Sequence, residues 1–386
     1  MTIEPFRVEI DAEQIADLNR RIDAVRWPSP SWEARDDWSS GTPEPYLREF
    51  VDYWRNSFDW DAAQERLNQF DQFTADVSGR KTHFIHARSP HPEATPLLLV
   101  HGWPGSVVEF FEVIPRLTDP TAFGGSAADA YHVVAPSLPG CAWSAPATEP
   151  GMSPAKIAGI HAELMELVGY DRYVAQGGDW GAVIVRCLAD IASDKLIGIH
   201  VNLVLPIPPQ EVDDPEALLS DEDKAYLAHY AATDFEISGY SHIQGSKPLT
   251  LGYGMSDSAV GQAAWILEKF YAWTDNNGDP ADAIDWDTLL TNISVYWLSG
   301  CFGSAANIYK QYRDAITGGL RNKPRVTVPT GVANYPKEIW HSPRPWIETE
   351  YNLVHWADMP AGGHFAALEQ PQAFAEDLWS FRQALG

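Results

Sequence analysis

A strand, a turn and a helix recur in that order through residues 97–191, and this rhythm limits the possible folds more than any other feature. Residues 97–100 are continuously apolar, which is typical of a strand buried on both faces of a parallel sheet. Similar signals predict strands at 131–135 and 172–176, with helices at 106–117, from Ser153 onwards and at 181–191. The alternation predicts an α/β fold built on an open, mostly parallel sheet.

Two stretches depart from this rhythm and divide the chain. Residues 1–90 are rich in aromatic side chains without alternating strands and helices, which predicts a segment that packs on the rest. Residues 206–324 are acidic and helical before they become rich in aromatic residues, which predicts an inserted helical lid. The core is then expected in two parts, 91–205 and 325–386. Its second part is predicted to contain strands at 326–328 and 353–357 and a helix at 371–385.

The acidic balance of the sequence argues against two kinds of partner. The 27 Lys and Arg residues stand against 53 Asp and Glu residues, and the net charge of −26 repels phosphate backbones and anionic lipid heads. Nucleic acid is therefore not expected as a partner. A membrane anchor is not expected either, because no apolar run reaches about 18 residues.

The cysteines and the first residues together favour a cytoplasmic location. Cys141, Cys187 and Cys301 lie far apart and form no CxxC pair, so neither a disulfide framework nor a metal site is indicated. The opening MTIEPFRVEIDAEQ lacks the basic, apolar and small-residue regions of an export signal. A reducing compartment fits both observations.

A glycine-flanked acidic residue stands between a predicted strand and the next helix, in Gly-Gly-Asp-Trp-Gly at residues 177–181. The spacing matches a nucleophile elbow with Asp179 in place of serine. In such a turn the central residue is strained, and glycines let the backbone pass close to sheet and helix. An aspartate that only caps the helix would produce the same pattern, because Asp is a favourable N-cap residue.

His-Gly-Trp-Pro-Gly at residues 101–105 follows the first buried strand and favours the catalytic interpretation. In α/β-hydrolases the turn at this place supplies a backbone N–H to the oxyanion hole. The donors here would be the amides of Trp103 and Trp180, although an ordinary turn would explain the loop taken alone. Ser106 and Glu109 are predicted to form a capping box at the start of the following helix.

Gly-Gly-His-Phe at residues 362–365 follows the last predicted strand and precedes the final helix. A catalytic histidine of an α/β-hydrolase occupies this loop, and nucleophile, acid, histidine is the expected chain order. His364 is therefore the candidate base. The other eleven histidines lack such a placement, and His101 is better explained as support for its own loop.

An acid must orient the ring of the candidate base, and two carboxylates compete for this role. Glu338 follows the strand predicted at 326–328. Asp358 ends the next predicted strand, only six residues before His364, but it belongs to the wrong loop. The arrangement as a whole favours Glu338, with an exposed loop carboxylate as the alternative.

An aspartate nucleophile favours attack on a saturated carbon over ester or peptide hydrolysis. A carboxylate is charged without a base to remove a proton, so it suits an epoxide or an alkyl halide. Attack leaves an ester on Asp179, which water activated by His364 can hydrolyse. An opening epoxide also requires an acid, and a phenol can donate a proton. Tyr240 and Tyr309 in the predicted lid fit, but chemistry alone does not single them out of 15 tyrosines.

Five motifs together resemble the microsomal type of epoxide hydrolase, over nearly the entire chain. They are HGWPGS at 101–106, GGDWG at 177–181, SGYSHIQ at 238–244, ILEKF at 266–270 and GGHFAA at 362–367. The resemblance implies an α/β-hydrolase fold with a helical lid and an N-terminal region wrapped around both. It also implies Asp179 as the nucleophile, His364 as the base, Glu338 as its acid, and Tyr240 with Tyr309 as the pair that polarises the epoxide.

The resemblance implies a cofactor-free enzyme whose partners are a small-molecule epoxide and water. Bacterial relatives of this type include scavengers of epoxides and enzymes that tailor natural products, and the motifs do not choose between them. The aromatic lid suggests a bulky apolar or aromatic substrate, although core packing explains most of these rings. The alternatives are a haloalkane dehalogenase, which lacks the tyrosine pair, and a non-catalytic binding protein of the same fold. Self-association into a homo-oligomer stays open.

Overall fold

The computed structural model describes residues 2–28, 37–210, 212–317 and 324–386, so that 29–36 of the predicted first segment and 318–323 of the predicted lid lie outside the described residues. The strands within these ranges are β1 (Ile3–Phe6), β2 (Gln72–Val77), β3 (Arg80–Ala87), β4 (Thr95–Val100), β5 (Tyr131–Pro136), β6 (Tyr173–Gly177), β7 (Leu196–Val201), β8 (Val326–Asn334) and β9 (Tyr351–Asp358). The α-helices are α1 (Ala12–Asp23), α2 (Glu44–Asn56), α3 (Trp60–Leu67), α4 (Val113–Thr118), α5 (Pro154–Leu167), α6 (Trp180–Ile191), α7 (Asp221–Ser246), α8 (Pro248–Asp257), α9 (Ala259–Trp273), α10 (Trp286–Ser299), α11 (Phe302–Thr317), α12 (Arg344–Glu350), α13 (Ala366–Glu369) and α14 (Pro371–Ala384).

The strands of the described chain form one sheet in the order β1-β2-β3-β5-β4-β6-β7-β8-β9. From β5 to β9 the neighbours are parallel, whereas β1, β2 and β3 extend one edge as antiparallel strands. The register pairs Val100 at the end of β4 with Gly177 at the end of β6, so the loops after these strands leave the sheet side by side. The predicted α/β fold with a mostly parallel sheet is confirmed.

The central strands form where the sequence has short, mainly apolar runs. Residues 97–100 of β4 are fully buried, so neither face of the strand meets solvent. Burying one leucine side chain stabilises the fold by roughly 1.5–3 kcal/mol. The helix predicted from Ser153 is α5, with a Ser153 side chain that accepts a hydrogen bond of 3.4 Å from the Lys156 amide.

The three antiparallel strands lie within residues 1–90, where the sequence analysis predicts no strand. An edge strand such as β1, which has no buried residue, lacks the continuous apolar signal of a central strand. The β2–β3 hairpin turns at Ser78 and Gly79, with φ of 51° and 74°. Two successive positive φ values are what a two-residue hairpin requires, and the Ser-Gly pair is the signal that could have predicted it.

The helix predicted at 106–117 is broken in two, and the predicted capping box is wrong. A 3₁₀ turn occupies Val107–Phe110, and α4 begins only at Val113. Ser106 caps this turn by accepting a hydrogen bond from the Val108 amide, but the Glu109 carboxylate turns to the amide of Gly102. The tight turn brings Glu109 over Gly105, where an added Cβ atom would lie only 1.6 Å from its Oε1.

Helices follow one another between β7 and β8 in the described chain, from α7 to α11. Helix α2 is attached to this lid by four hydrogen bonds among the described residues. Tyr46 donates to Asp279 at 2.7 Å, Tyr53 to Asp287 at 2.9 Å and Trp54 to Ser294 at 3.1 Å, and Trp286 donates to the Tyr46 hydroxyl at 3.0 Å. The four-part division of the chain remains a prediction.

Candidate active site

Asp179 occupies a strained turn between β6 and α6. Its φ of 48° and ψ of −128° lie outside the regions that residues with a Cβ atom normally adopt. A Cβ atom on Gly181 would lie 1.9 Å from the Val100 carbonyl oxygen, so α6 can approach β4 this closely only with glycine there. Asp179 makes no side-chain capping hydrogen bond to α6, a helix that the structure describes in full. The helix-cap alternative is therefore wrong.

The loop after β4 reaches the Asp179 carboxylate. The Trp103 amide donates a hydrogen bond of 2.7 Å to Oδ1 of Asp179, and Trp180, which carries the other predicted donor, opens α6. His101 holds this loop, since its Nδ1 lies 2.8 Å from the carbonyl oxygen of Gly102. Burial lowers the pKa of His101 to about 4, so at neutral pH the ring is uncharged.

His364 lies between the two carboxylates that the sequence analysis associates with it. Its Nε2 lies 3.3 Å from Oδ2 of Asp179, and its Nδ1 lies 2.7 Å from Oε1 of Glu338. The side chains of His364 and Glu338 are 1% and 2% exposed. Asp358, the competing acid, instead accepts hydrogen bonds from the side chains of Asn334 and Trp356. The structure thus brings Glu338, and not Asp358, to the imidazole.

Opposing effects set the charge of the imidazole. Burial by itself lowers the pKa of His364, but the carboxylates of Glu338 and Asp179 outweigh it and hold that pKa well above its ordinary value. An imidazolium between two carboxylates is therefore favoured while Asp179 is ionised. Loss of the negative charge on Asp179 would remove part of this stabilisation and favour the neutral ring.

Tyr240 on α7 and Tyr309 on α11 meet in the lid, with ring centroids 5.6 Å apart. Trp103 packs against both rings, at centroid distances of 5.5 and 5.6 Å. Both hydroxyl groups are buried and lie within reach of each other, with the Trp180 indole beside that of Tyr309. Burial raises the pKa of each phenol well above its ordinary value, and the charge of Asp179 adds to the effect. The two phenols are therefore neutral and can donate O–H groups to a bound oxygen.

An apolar cavity connects the nucleophile to the lid. It leaves about 300 Å³ for the centres of water-sized molecules. Its walls include Asp179, Trp180, Leu203, Leu205, Tyr309 and Ile316. Such a chamber can hold an apolar substituent beside the carboxylate.

Three further side chains lie near these groups, and none of them has a predicted role in the site. Glu109 and Gln176 line a second, smaller cavity together with Asp179 and His364. Lys269 is buried on α9, with its Nζ 4.4 Å from the centroid of the Tyr240 ring. The signal for Glu109 is a charge inside an otherwise apolar run, residues 107–111, whereas Lys269 follows another charged residue, Glu268, and gives no such signal.

Neither a membrane-spanning helix nor a cluster of metal-binding side chains occurs in the described residues. No helix there combines the length and the apolar character needed to cross a bilayer. No group of three or more His, Cys, Asp or Glu side chains in these ranges could hold a metal ion.

Two family models match residues 3–231 of this chain between them. The family model "Epoxide hydrolase N terminus" matches residues 3–110, and the model "alpha/beta hydrolase fold" matches residues 95–231. The crystal structure of juvenile hormone epoxide hydrolase from the silkworm Bombyx mori superposes with a TM-score of 0.90 at 32% identity, covering 100% of this chain and 95% of that one. The expected α/β-hydrolase fold is confirmed.

Two relatives align with almost all of this chain. A protein of Stigmatella aurantiaca (strain DW4/3-1), whose name ascribes it provisionally to the epoxide hydrolases, is 45% identical over 384 residues, 99% of this chain and 85% of the relative. Epoxide hydrolase 1 of Oryctolagus cuniculus is 36% identical over 407 residues, 98% of this chain and 88% of the relative. The similarity therefore extends across the sheet, the lid and the N-terminal strands.

Proposed function

This chain belongs to the epoxide hydrolases of the α/β-hydrolase superfamily, and on that premise we propose that it converts an epoxide to a vicinal diol through a covalent ester on Asp179. The observation that carries the proposal is the continuous contact from Asp179 through His364 to Glu338, with distances of 3.3 and 2.7 Å. This arrangement supplies a charged nucleophile, a base for water and a group that orients the base.

In the first step, the Asp179 carboxylate attacks one ring carbon of the epoxide, and the bond from that carbon to the ring oxygen breaks. Tyr240 and Tyr309 bind the leaving oxygen, and one of them gives it a proton. Their buried, neutral hydroxyl groups lie side by side in the lid, which supports this role. The products of the step are a hydroxyalkyl ester of Asp179 and a phenolate.

In the second step, water attacks the acyl carbon of the ester. His364 releases its own proton to solvent once Asp179 has lost its charge, removes one proton from the water and returns it to the departing alcohol oxygen, so that the diol leaves. The ring takes a proton back from solvent when the Asp179 carboxylate is restored. The other water proton stays on the new carboxyl group of Asp179 and is then passed on to restore the phenol. The amides of Trp103 and Trp180 would stabilise the oxyanion, and the 2.7 Å contact of Trp103 with Oδ1 of Asp179 supports this.

A single turnover in oxygen-18 water tests the covalent route. With enzyme in excess over the epoxide, we expect the label in the Asp179 carboxylate and not in the first diol released. Mass spectrometry of the peptide that contains Asp179 detects it. Label that enters the diol directly would contradict the ester, and an active Asp179→Ala variant would do so independently.

We further propose that the substrate carries an extended apolar or aromatic substituent. The chamber of about 300 Å³ beside Asp179, walled by Leu203, Leu205 and Ile316, supports this. The test is a panel of small aliphatic, styrenic and large polycyclic epoxides, with chloroalkanes as a control for dehalogenase activity. We expect kcat/KM to rise with apolar size and no halide release. Equal turnover of the smallest epoxides would contradict the substrate proposal.

A further inference from the structure

A small cavity separate from the substrate chamber opens on the same nucleophile. It leaves about 10 Å³ for the centre of a water molecule, which is room for about one. Asp179 and His364 line it together with Glu109 and Gln176, and Phe110 and Phe374 close its apolar side. The cavity thus combines water-sized space with the two groups between which a hydrolytic water must lie.

Two polar atoms of this cavity can hold a water molecule. Oε1 of Gln176 is buried and has no hydrogen-bond partner in the described ranges, and Nε2 of His364, now 3.3 Å from Oδ2 of Asp179, becomes an acceptor once the imidazolium has lost its proton. The amide nitrogen of Gln176 is already engaged, because it donates to Oδ1 of Asn202 at 2.9 Å. Since buried polar atoms are nearly always paired with protein or water, these acceptors indicate a bound water molecule.

Glu109 adds a carboxyl group to the same wall. Its side chain bends back over Gly105 and accepts a hydrogen bond from the Gly102 amide, and no salt bridge to it occurs among the described residues. Burial raises the pKa of Glu109 to about 8, with the charge of His364 acting against this shift and that of Asp179 adding to it. A buried carboxyl group with a pKa shifted this far, in a cavity beside the nucleophile, indicates a functional role.

We propose that this cavity binds the water that hydrolyses the Asp179 ester, and that Glu109 and Gln176 position that water for His364. The inference rests on the proposed function, because it assigns residues to its second step. Glu109 and Gln176 are positioning residues here, since they act on the reaction through the orientation of the water.

Formation of the ester changes the electrostatic surroundings of Glu109 and His364. Once Asp179 is esterified, its negative charge no longer raises the pKa of Glu109 or of His364. His364 can then accept one proton of the water at Nε2. The second O–H of the water donates a hydrogen bond to Glu109 or to Gln176 and keeps its proton, while the water oxygen bonds to the acyl carbon.

Rapid-quench mass spectrometry of the Glu109→Gln variant tests the inference with any epoxide that the wild type turns over. We expect the ester to form at a rate within about threefold of the wild type and to be hydrolysed about 10²-fold more slowly, so that alkylated enzyme accumulates. The pH dependence of hydrolysis should also change, because one titrating group is gone. Glu112→Gln is the matched control, because the Glu112 side chain is exposed and lies two residues past the 3₁₀ turn.

A second variant, Glu109→Met, removes the buried carboxyl group and should keep or raise Tm. Slow hydrolysis in both variants with normal ester formation supports the inference. Hydrolysis at the wild-type rate, or equal losses in both steps, would overturn it while leaving the covalent route intact. If the wild type itself places no oxygen-18 in Asp179, the proposed function fails first, and this inference with it.

Discussion

The Nδ1 atom of His364 lies 2.7 Å from Oε1 of Glu338, and the two side chains are 1% and 2% exposed. A charge this close and this buried acts on the imidazole with little screening by solvent. Glu338 is among the groups that hold the pKa of His364 well above its ordinary value, in opposition to burial. The basicity of the imidazole therefore depends on a residue from a different loop.

For Glu338→Gln we expect ester hydrolysis to slow by about 10²- to 10⁴-fold, because the imidazole loses both its charge partner and its orientation. Removing the negative charge lowers the pKa of His364, so the acid limb of hydrolysis should move to lower pH. The measurement is the single-turnover rate of ester decay from pH 5 to 9. Asp358→Asn, which lies away from the imidazole, is the control and should leave the profile unchanged. An acid limb at the same pH as in the wild type would contradict the pairing of Glu338 with His364.

For His364→Gln we expect ester formation without hydrolysis. The Asp179 carboxylate needs no base to attack, whereas water does. Intact-protein mass spectrometry should show one added epoxide mass per chain, stable over many wild-type turnover times. Steady diol production by this variant would mean that another group activates the water.

For Tyr240→Phe and Tyr309→Phe we expect ester formation to slow by about 10²-fold each, and further when both are changed, because an oxygen that leaves as an anion loses a donor. The hydrolysis step should change less. Tyr253→Phe, an exposed tyrosine on α8, is the matched control. Pre-steady-state kinetics separate the two steps, and a defect confined to hydrolysis would refute the proposed role of the phenols.

For Gly181→Ala we expect a loss of folded protein or of at least about 3 kcal/mol of unfolding free energy, since the added Cβ atom would overlap the Val100 carbonyl oxygen at 1.9 Å. Gly159→Ala on α5 is the control, because its Cβ would meet only Ile191 at 3.9 Å. That change should be neutral or stabilise the helix by up to about 1 kcal/mol. Urea denaturation compares the two, and equal stabilities would contradict the close packing.

For Asp377→Asn we expect a loss of about 2–3 kcal/mol of unfolding free energy at pH 7. Burial raises the pKa of Asp377, but contacts with His200 at 2.8 Å and His355 at 2.6 Å outweigh it and hold that pKa below its ordinary value. A depressed carboxyl pKa stabilises the fold above the unfolded value of about 4, and this is lost as the pH falls. The difference between variant and wild type should therefore shrink at pH 3. An equal difference in unfolding free energy at pH 7 and pH 3 would contradict this dependence of stability on the charge of Asp377.

The parallel half of the sheet is predictable because a strand covered on both faces is mainly apolar and carries few polar side chains, such as Gln176 and His200. Residues 97–100 show this signal in four consecutive positions, and the glycines around Asp179 locate the turn that follows β6. Asp179, Glu338 and His364 follow the parallel strands β6, β8 and β9, whose carboxyl ends lie at one edge of the sheet. Strands β1 to β3 escape prediction because these antiparallel strands mix polar with apolar residues.

Glu109 escapes prediction for a different reason. Its spacing from Ser106 is that of a capping box, and only the 3₁₀ geometry of the turn directs the carboxylate to Gly102 instead. Tyr240 and Tyr309 are 69 residues apart on separate helices, so no local pattern relates them. Their convergence on Trp103 depends on how the lid packs, which is a property of the whole fold.

The hydrogen bonds from α2 to Asp279, Asp287 and Ser294 have a consequence for substrate exchange. They tie the lid to a segment that also supplies an edge of the sheet, so swinging the cap away as one body would break all three contacts at once. Entry and departure are then expected while the lid stays in place, by way of the chamber beside Asp179. Bulky residues introduced into the walls of that chamber would select which molecules are admitted, without any change in the reacting groups.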